Sequence, residues 1–172
     1  MTLETGGLGR QNVLAIANAA WPALQELTLY FGRADYGGNA TAADVEALLA
    51  NSYPKLTSLA LCNSEIAGDI VRALVQSPLL AQLEVLDLSK GTLVDEDLAP
   101  IVNNLGAVKK LRRLDLSTNY LTADLEAMLK RELGAVFHGG EQRYDDMLRD
   151  REQYANDEWG QTQTFRYTDL GE

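Results

Sequence analysis

The sequence predicts an α/β solenoid: a horseshoe with a parallel β-sheet on its concave face and α-helices on its convex face. Three observations predict it. A leucine pattern recurs along the chain, so that "LEVLDLSKGTL" at residues 83–93 returns as "LRRLDLSTNYL" at 111–121. Between occurrences the hydrophobic period changes from 2 to about 3.6, the change that separates strands from amphipathic helices. Proline and threonine stand where a chain alternating between the two must turn.

Taken in order, the pattern L-x-x-L-x-L-x-x-(N/C)-x-L occurs, whole or degraded, as "LQELTLYFGRA" from Leu24, "LTSLALCNSEI" from Leu56, "LEVLDLSKGTL" from Leu83 and "LRRLDLSTNYL" from Leu111. These starts lie 32, 27 and 28 residues apart, the spacing of a leucine-rich-repeat solenoid. Leucines at pattern positions 4 and 6 share one face of a short strand and point inward, so positions 3, 5 and 7 point outward. One repeat cannot bury its own apolar face. Neighbours must stack, and their strands then form a parallel sheet.

Between the strands, "NVLAIANAA", "TAADVEALLA", "IAGDIVRALVQ", "EDLAPIVNNL" and "TADLEAMLKREL" place apolar residues three and four apart, as helices do. Thr41 and Thr122 stand at helix N-cap positions with an acid in the following turn. Pro22 and Pro54 precede pattern leucines by two residues and direct the chain out of a helix into a strand.

On these motifs, residues 11–134 resemble the ribonuclease-inhibitor-like leucine-rich repeats, whose repeats are about this long and carry a full convex helix. More narrowly, "LETGGL", "DYGG", "NSEIA", "LEVLDLSKGTLVDE" and "RYTDLGE" resemble a group of bacterial leucine-rich-repeat proteins. The resemblance implies a fold and a binding-surface role, and it carries over no catalytic residue. The chain departs from the pattern at position 9, usually Asn or Cys, where it has Gly32, Ser64, Gly91 and Asn119. An unbroken ladder of buried polar side chains is not expected.

At the N-terminus "MTLETGGL" fits the second half of a repeat, with Met1 at position 4, Leu3 at 6, Gly6 at 9 and Leu8 at 11. A solenoid end without a cap exposes its core. The chain is expected to be part of a longer solenoid, or to have this edge covered by another chain, including a second copy in a homodimer. At the other end "GAVFHGG" reads as a short last strand closing a solenoid of residues 1–140. Residues 141–172 hold nine acids and four arginines, net −5. Within them "YDDMLRDREQYA" suits a helix and "QTFRYTD" alternates like a strand. Tyr144, Met147, Leu148, Trp159, Phe165 and Tyr167 provide apolar surface for a C-terminal cap, the alternative being a partly disordered acidic tail.

Composition bounds the function. A chain of 172 residues has room for one domain with a sizeable core. A net charge of −10 argues against a nucleic-acid backbone or an anionic membrane as partner. One cysteine, Cys62, excludes an internal disulfide framework and fits a reducing, cytoplasmic setting. No signal-peptide pattern opens the chain, so the sequon at Asn39 is read as accidental.

Position 5 of the third and fourth repeats is Asp87 and Asp115, stacked in one column about 5 Å apart. Two carboxylates at that separation could serve a hydrolase, but LDLS is generic wording in such repeats. A hydrated sheet face and the neighbouring Arg113 should neutralise and screen the pair. Tyr30 and Phe31 are apolar where the other strands carry polar residues, and are either interface anchors or covered by a neighbouring segment. The longest repeat has its surplus in "GRADYGGNA", where Asp35 and Tyr36 project from the rim of what is otherwise a glycine-rich detour. Cys62 and His138 lack partners at metal or nucleophile spacing, "GGLG" at residues 6–9 lacks the lysine of a phosphate loop, and the C-terminal acid clusters lack calcium-loop spacing.

The expected function is therefore non-enzymatic, with no cofactor and no metal: a scaffold holding a protein partner on the concave sheet and adjacent rim. The candidate contacts are Tyr30, Phe31, Asp35, Tyr36, Ser58, Asp87, Arg113 and Asp115. The alternatives are a structural or sensor segment of a larger assembly, and a hydrolase using Asp87 and Asp115.

Overall fold

The leucine alternation produces strands that pair in chain order. In the computed structural model, which describes residues 1–158 and 160–169, these are β1 (Thr2–Leu3), β2 (Glu26–Gly32), β3 (Ser58–Ser64), β4 (Val85–Asp87), β5 (Arg113–Asp115) and β6 (Phe137–His138). They form one six-stranded sheet in which every neighbouring pair is parallel. Its register aligns the pattern leucines: Leu27, Leu59, Leu86 and Leu114 make one row across four strands. All four are essentially inaccessible to solvent.

Helices occupy the connections: α1 (Arg10–Asn18), α2 (Ala42–Ala50), α3 (Ala67–Gln76), α4 (Ala99–Val102), α5 (Leu105–Val108), α6 (Ala123–Leu133) and α7 (Tyr144–Gln153). Val13, Val45, Leu48, Ile70 and Leu74 share one apolar core with the strand leucines, so helices cover that face of the sheet. Alternate strand residues, among them Thr28, Tyr30, Asp87 and Asp115, lie outside the cluster and occupy the open face. The molecule is thus a mixed α/β structure built on one parallel sheet flanked by helices. No described helix is long and apolar enough to cross a membrane.

Local chemistry sets the helix starts. Ahead of α2, the Thr41 N–H and hydroxyl both donate to the Asp44 carboxylate, at 2.9 and 2.7 Å, and Arg10 Nε donates to it at 2.9 Å. Three donors allow Asp44 to be buried at 2% exposure. Ahead of α6, Thr122 Oγ accepts the Leu125 N–H at 3.2 Å. The single helix expected over "EDLAPIVNNL" is instead a 3-10 turn at Asp95–Leu98 followed by α4 and α5. Asn104 leaves helical geometry at φ −137°, ψ 49°. Paired asparagines are poor helix formers, because their side chains compete for backbone hydrogen bonds.

The position-9 departures have a structural result. Asn119 is fully buried; its Nδ2 donates to Leu88 O, Leu116 O and Ser117 O, and its Oδ1 accepts the Leu93 N–H. It ties the turn after β5 to the turn after β4. Glycine at 32 and 91 offers no such bonds.

Residues 32–40 are more than a detour. The chain re-enters beside β2 through an antiparallel bridge between Gly7 and Gly32. Leu8 N–H donates to Phe31 O and Arg33 N–H to Gly6 O, both at 2.7 Å. A Cβ on Gly32, at φ 69°, would stand 1.8 Å from Gly6 O. At the edge itself Met1 and Leu3 remain 36% and 37% exposed.

At the C-terminal end Met147 and Phe165 are buried together with Tyr120. The strand expected over "QTFRYTD" does not form: residues 163–169 have no ladder, and Phe165 at φ 53° turns the chain out of extended geometry. The expected apolar contribution of Trp159 lies outside the described residues, while Leu148 is exposed.

Candidate functional site

The open face is organised in columns by the strand register. One runs Thr2, Thr28, Ala60, Asp87, Asp115, His138 across all six strands. A second runs Glu26, Ser58, Val85, Arg113, and a third begins Tyr30, Cys62. Ser58, Asp87 and Arg113 are therefore brought onto one surface with Tyr30, as expected.

The two aspartates do not act as a free pair. Asp87 Oδ1 accepts the Ser89 N–H at 2.9 Å, and Asp115 Oδ1 accepts the Ser117 N–H at 3.0 Å. Each carboxylate shapes the turn that ends its strand, and Lys90 and Thr118, one residue further on, have φ of 62° and 54°. Asp115 is buried at 6% exposure, which corrects the expectation that water screens it. The reason is local: Ser117 Oγ donates to its Oδ1 at 2.7 Å and Arg113 lies 2.6 Å from its Oδ2. Burial alone would raise the Asp115 carboxyl, but hydrogen bonds from Arg113 and Ser117 outweigh it and hold the carboxyl below the usual range.

Tyr30 is half-buried, with Lys90 Nζ 5.8 Å from its ring centre. Burial, with the nearby Cys62, Glu4 and Asp87, raises its phenol above the ordinary value. Phe31 is a correction: it is 3% exposed and belongs to the core. It has the same parity as Leu27 and Leu29, so the alternation that presents Tyr30 buries Phe31. Asp35 and Tyr36 do project; Asp35 pairs with Arg33 at 3.0 Å, and Tyr36 is 60% exposed above Gly6. Cys62 is 1% exposed. Burial pushes its thiol far up, with Asp87 adding to the effect, so it stays protonated at neutral pH. His138 ends β6 beside Asp115, with Nδ1 3.3 Å from Val136 O.

A second group of side chains was not singled out from sequence. The turns after β2, β4 and β5 form a rim carrying Arg33, Lys90, Thr92 and Tyr120. Arg143 fixes Tyr120 by lying 4.7 Å from its ring centre while donating to Gly91 O and Thr118 O. The sequence signal was the cluster of aromatics near the C-terminus, whose partners lie dozens of residues upstream.

No protein-family model and no curated protein matches the chain. Among solved structures it is similar to a Bacteroides fragilis protein crystallised by the Northeast Structural Genomics Consortium, with 28% identity and a TM-score of 0.76. The match covers 82% of this chain and 41% of that one.

Proposed function

We propose that the chain is a leucine-rich-repeat solenoid of the ribonuclease-inhibitor-like kind. In this reading it holds a protein partner on its open sheet face and adjacent rim, without catalysis, in the cytoplasm. Residues 1–140 are the solenoid and residues 141–172 an acidic C-terminal cap or tail. The observation that carries the reading is the in-register face itself. Tyr30, Ser58, Asp87 and Arg113 project from strands pinned on both sides by backbone hydrogen bonds. Such a face binds without an ordering cost, and its aromatic and both charge signs suit a protein more than a nucleic acid or a membrane. The Asp87 and Asp115 carboxylates are engaged in turn hydrogen bonds, which weighs against the hydrolase alternative.

The test is binding of a captured partner to face variants. Replacing Tyr30 and Arg113 together by alanine should weaken binding by at least about 2 kcal/mol. Ser58→Arg, which puts a bulky cation on the face, should do the same. A partner bound unchanged by both would place the binding surface elsewhere. The exposed edge of β1 favours a second reading, in which the chain is a structural segment of an assembly and pairs there with another copy.

A further inference from the structure

Residues 165–169 cross the ends of the strands as a short peptide docked on the rim. Tyr120 Oη accepts the Tyr167 N–H at 2.7 Å and donates to Tyr167 O at 3.1 Å, so one hydroxyl reads both backbone groups of a single residue. Lys90 O accepts the Asp169 N–H at 3.3 Å, and Lys90 Nζ lies 3.6 Å from the Asp169 carboxylate. The Arg33 guanidinium stands 5.8 Å from the Tyr167 ring centre. Arg166 donates to Thr92 O at 3.2 Å and lies 3.7 Å from Asp97, while Phe165 is buried beside Tyr120.

We infer that this rim is a docking groove for an extended peptide segment of a partner protein, one bearing an aromatic residue followed two positions later by a carboxylate. Residues 165–169 occupy it in cis as a displaceable stand-in. The inference deepens the binding reading above and rests on its rim half.

Three features support it. The recognition is modular: a hydroxyl clamp on the backbone is blind to sequence, while Arg33 and Lys90 select the aromatic and the acid. Tyr167 and Asp169 are two residues apart, the spacing that puts both side chains on one side of an extended partner segment. The cis fit is also imperfect. Thr168 is buried at 4% exposure with no hydrogen-bond partner for its hydroxyl. Phe165 adopts φ 53°, a strained setting for an aromatic residue. The Lys90–Asp169 pair is solvent-exposed on both sides, at 37% and 46%, and holds weakly. A cis segment held on these terms is displaceable, and a free peptide has to overcome only the high effective concentration that tethering gives it.

The test uses the full chain and a fluorescein-labelled peptide of the sequence QTFRYTD. Tyr167→Ala and Asp169→Asn loosen the cis segment and should each bind the peptide about tenfold more tightly than the wild-type chain. Adding Lys90→Ala or Tyr120→Phe to Asp169→Asn should abolish that gain. Equal binding by the wild type and both loosened variants overturns the inference, as does binding indifferent to Lys90→Ala. If amide exchange in β3 shows that Tyr167→Ala has lost its fold, Asp169→Asn carries the test, since it changes only a half-exposed carboxylate. The two readings fail separately. A protein partner lost with Ser58→Arg but indifferent to Lys90→Ala keeps the face and overturns the groove; peptide binding that depends on Lys90 keeps the groove whatever Ser58→Arg does.

Discussion

The Arg113 guanidinium and the Asp115 carboxylate lie two residues apart on β5 and meet at 2.6 Å, with the carboxylate buried and the guanidinium half exposed. Within the same strand, one carboxylate thus serves as a turn acceptor toward Ser117 and as an ion-pair partner toward Arg113. This double use sets how the strand responds to acid.

Against the burial that would raise it, hydrogen bonds from Arg113 and Ser117 depress the Asp115 pKa in the folded state. Such a group adds stability that is fully present above its unfolded value of about 3.9 and is lost as the pH falls through the lower folded value. Asp115→Asn should cost about 1–2 kcal/mol at neutral pH. Urea unfolding at a series of pH values should show that difference narrowing below about pH 4. Carboxyl-carbon NMR should place Asp115 below about 3.9; an apparent value two or more units above would revive the hydrolase.

Asn119→Ala should be the costliest single polar substitution on the rim. It removes four hydrogen bonds and leaves the Leu93 N–H and the Leu88 and Leu116 carbonyls without this partner in a buried place. A loss of about 3 kcal/mol in chemical denaturation is expected, against less than about 1 kcal/mol for Ser117→Ala, whose hydroxyl is partly accessible.

Gly32→Ala should detach the N-terminal strand and leave the rest folded. A methyl group there would collide with Gly6 O at 1.8 Å and Gly7 N at 2.6 Å, on a backbone already at positive φ. Hydrogen exchange should show lost protection at Leu8 and Arg33, whose amides bond across this junction, with β4 and β5 unchanged.

The open edge of β1 should make the isolated chain self-associate. Met1 and Leu3 lie exposed beside a groove lined by Leu8, Ala15 and Ile16. Pairing between two such edges would satisfy both copies reciprocally. Sedimentation should reveal a dimer that Leu3→Lys abolishes; a monomer at all concentrations would count against the edge as an interface.

What the sequence revealed depended on how local each cause was. Leucine alternation fixes parity within one strand, so the sheet and the facing of Tyr30, Ser58 and Arg113 were legible. The same parity argument, applied one residue further, would have buried Phe31. The burial of Asp115 was not legible, because it depends on Arg113 and Ser117 closing over the carboxylate rather than leaving it to water. The rim was least legible of all: Tyr120 and Tyr167 meet across 47 residues, and no short-range pattern announces that contact. The glycines of residues 32–40 signalled a detour, but not that Gly32, together with Gly7, permits one backbone to cross another.

The buried amide of Asn119 has a consequence for the order in which the molecule assembles. Strands here contact only strands next to them in sequence, so structure can spread stepwise from wherever two neighbours first hold. Among the described turns, the one after β5 is welded to its predecessor by a single side chain that reaches residues 88, 93 and 116 at once. That junction is the natural seed, and the chain is expected to zip from it toward the N-terminus, against the direction of synthesis. Asn119→Ala should then slow refolding more than it speeds unfolding, whereas Gly32→Ala, at the end that closes last, should do the reverse.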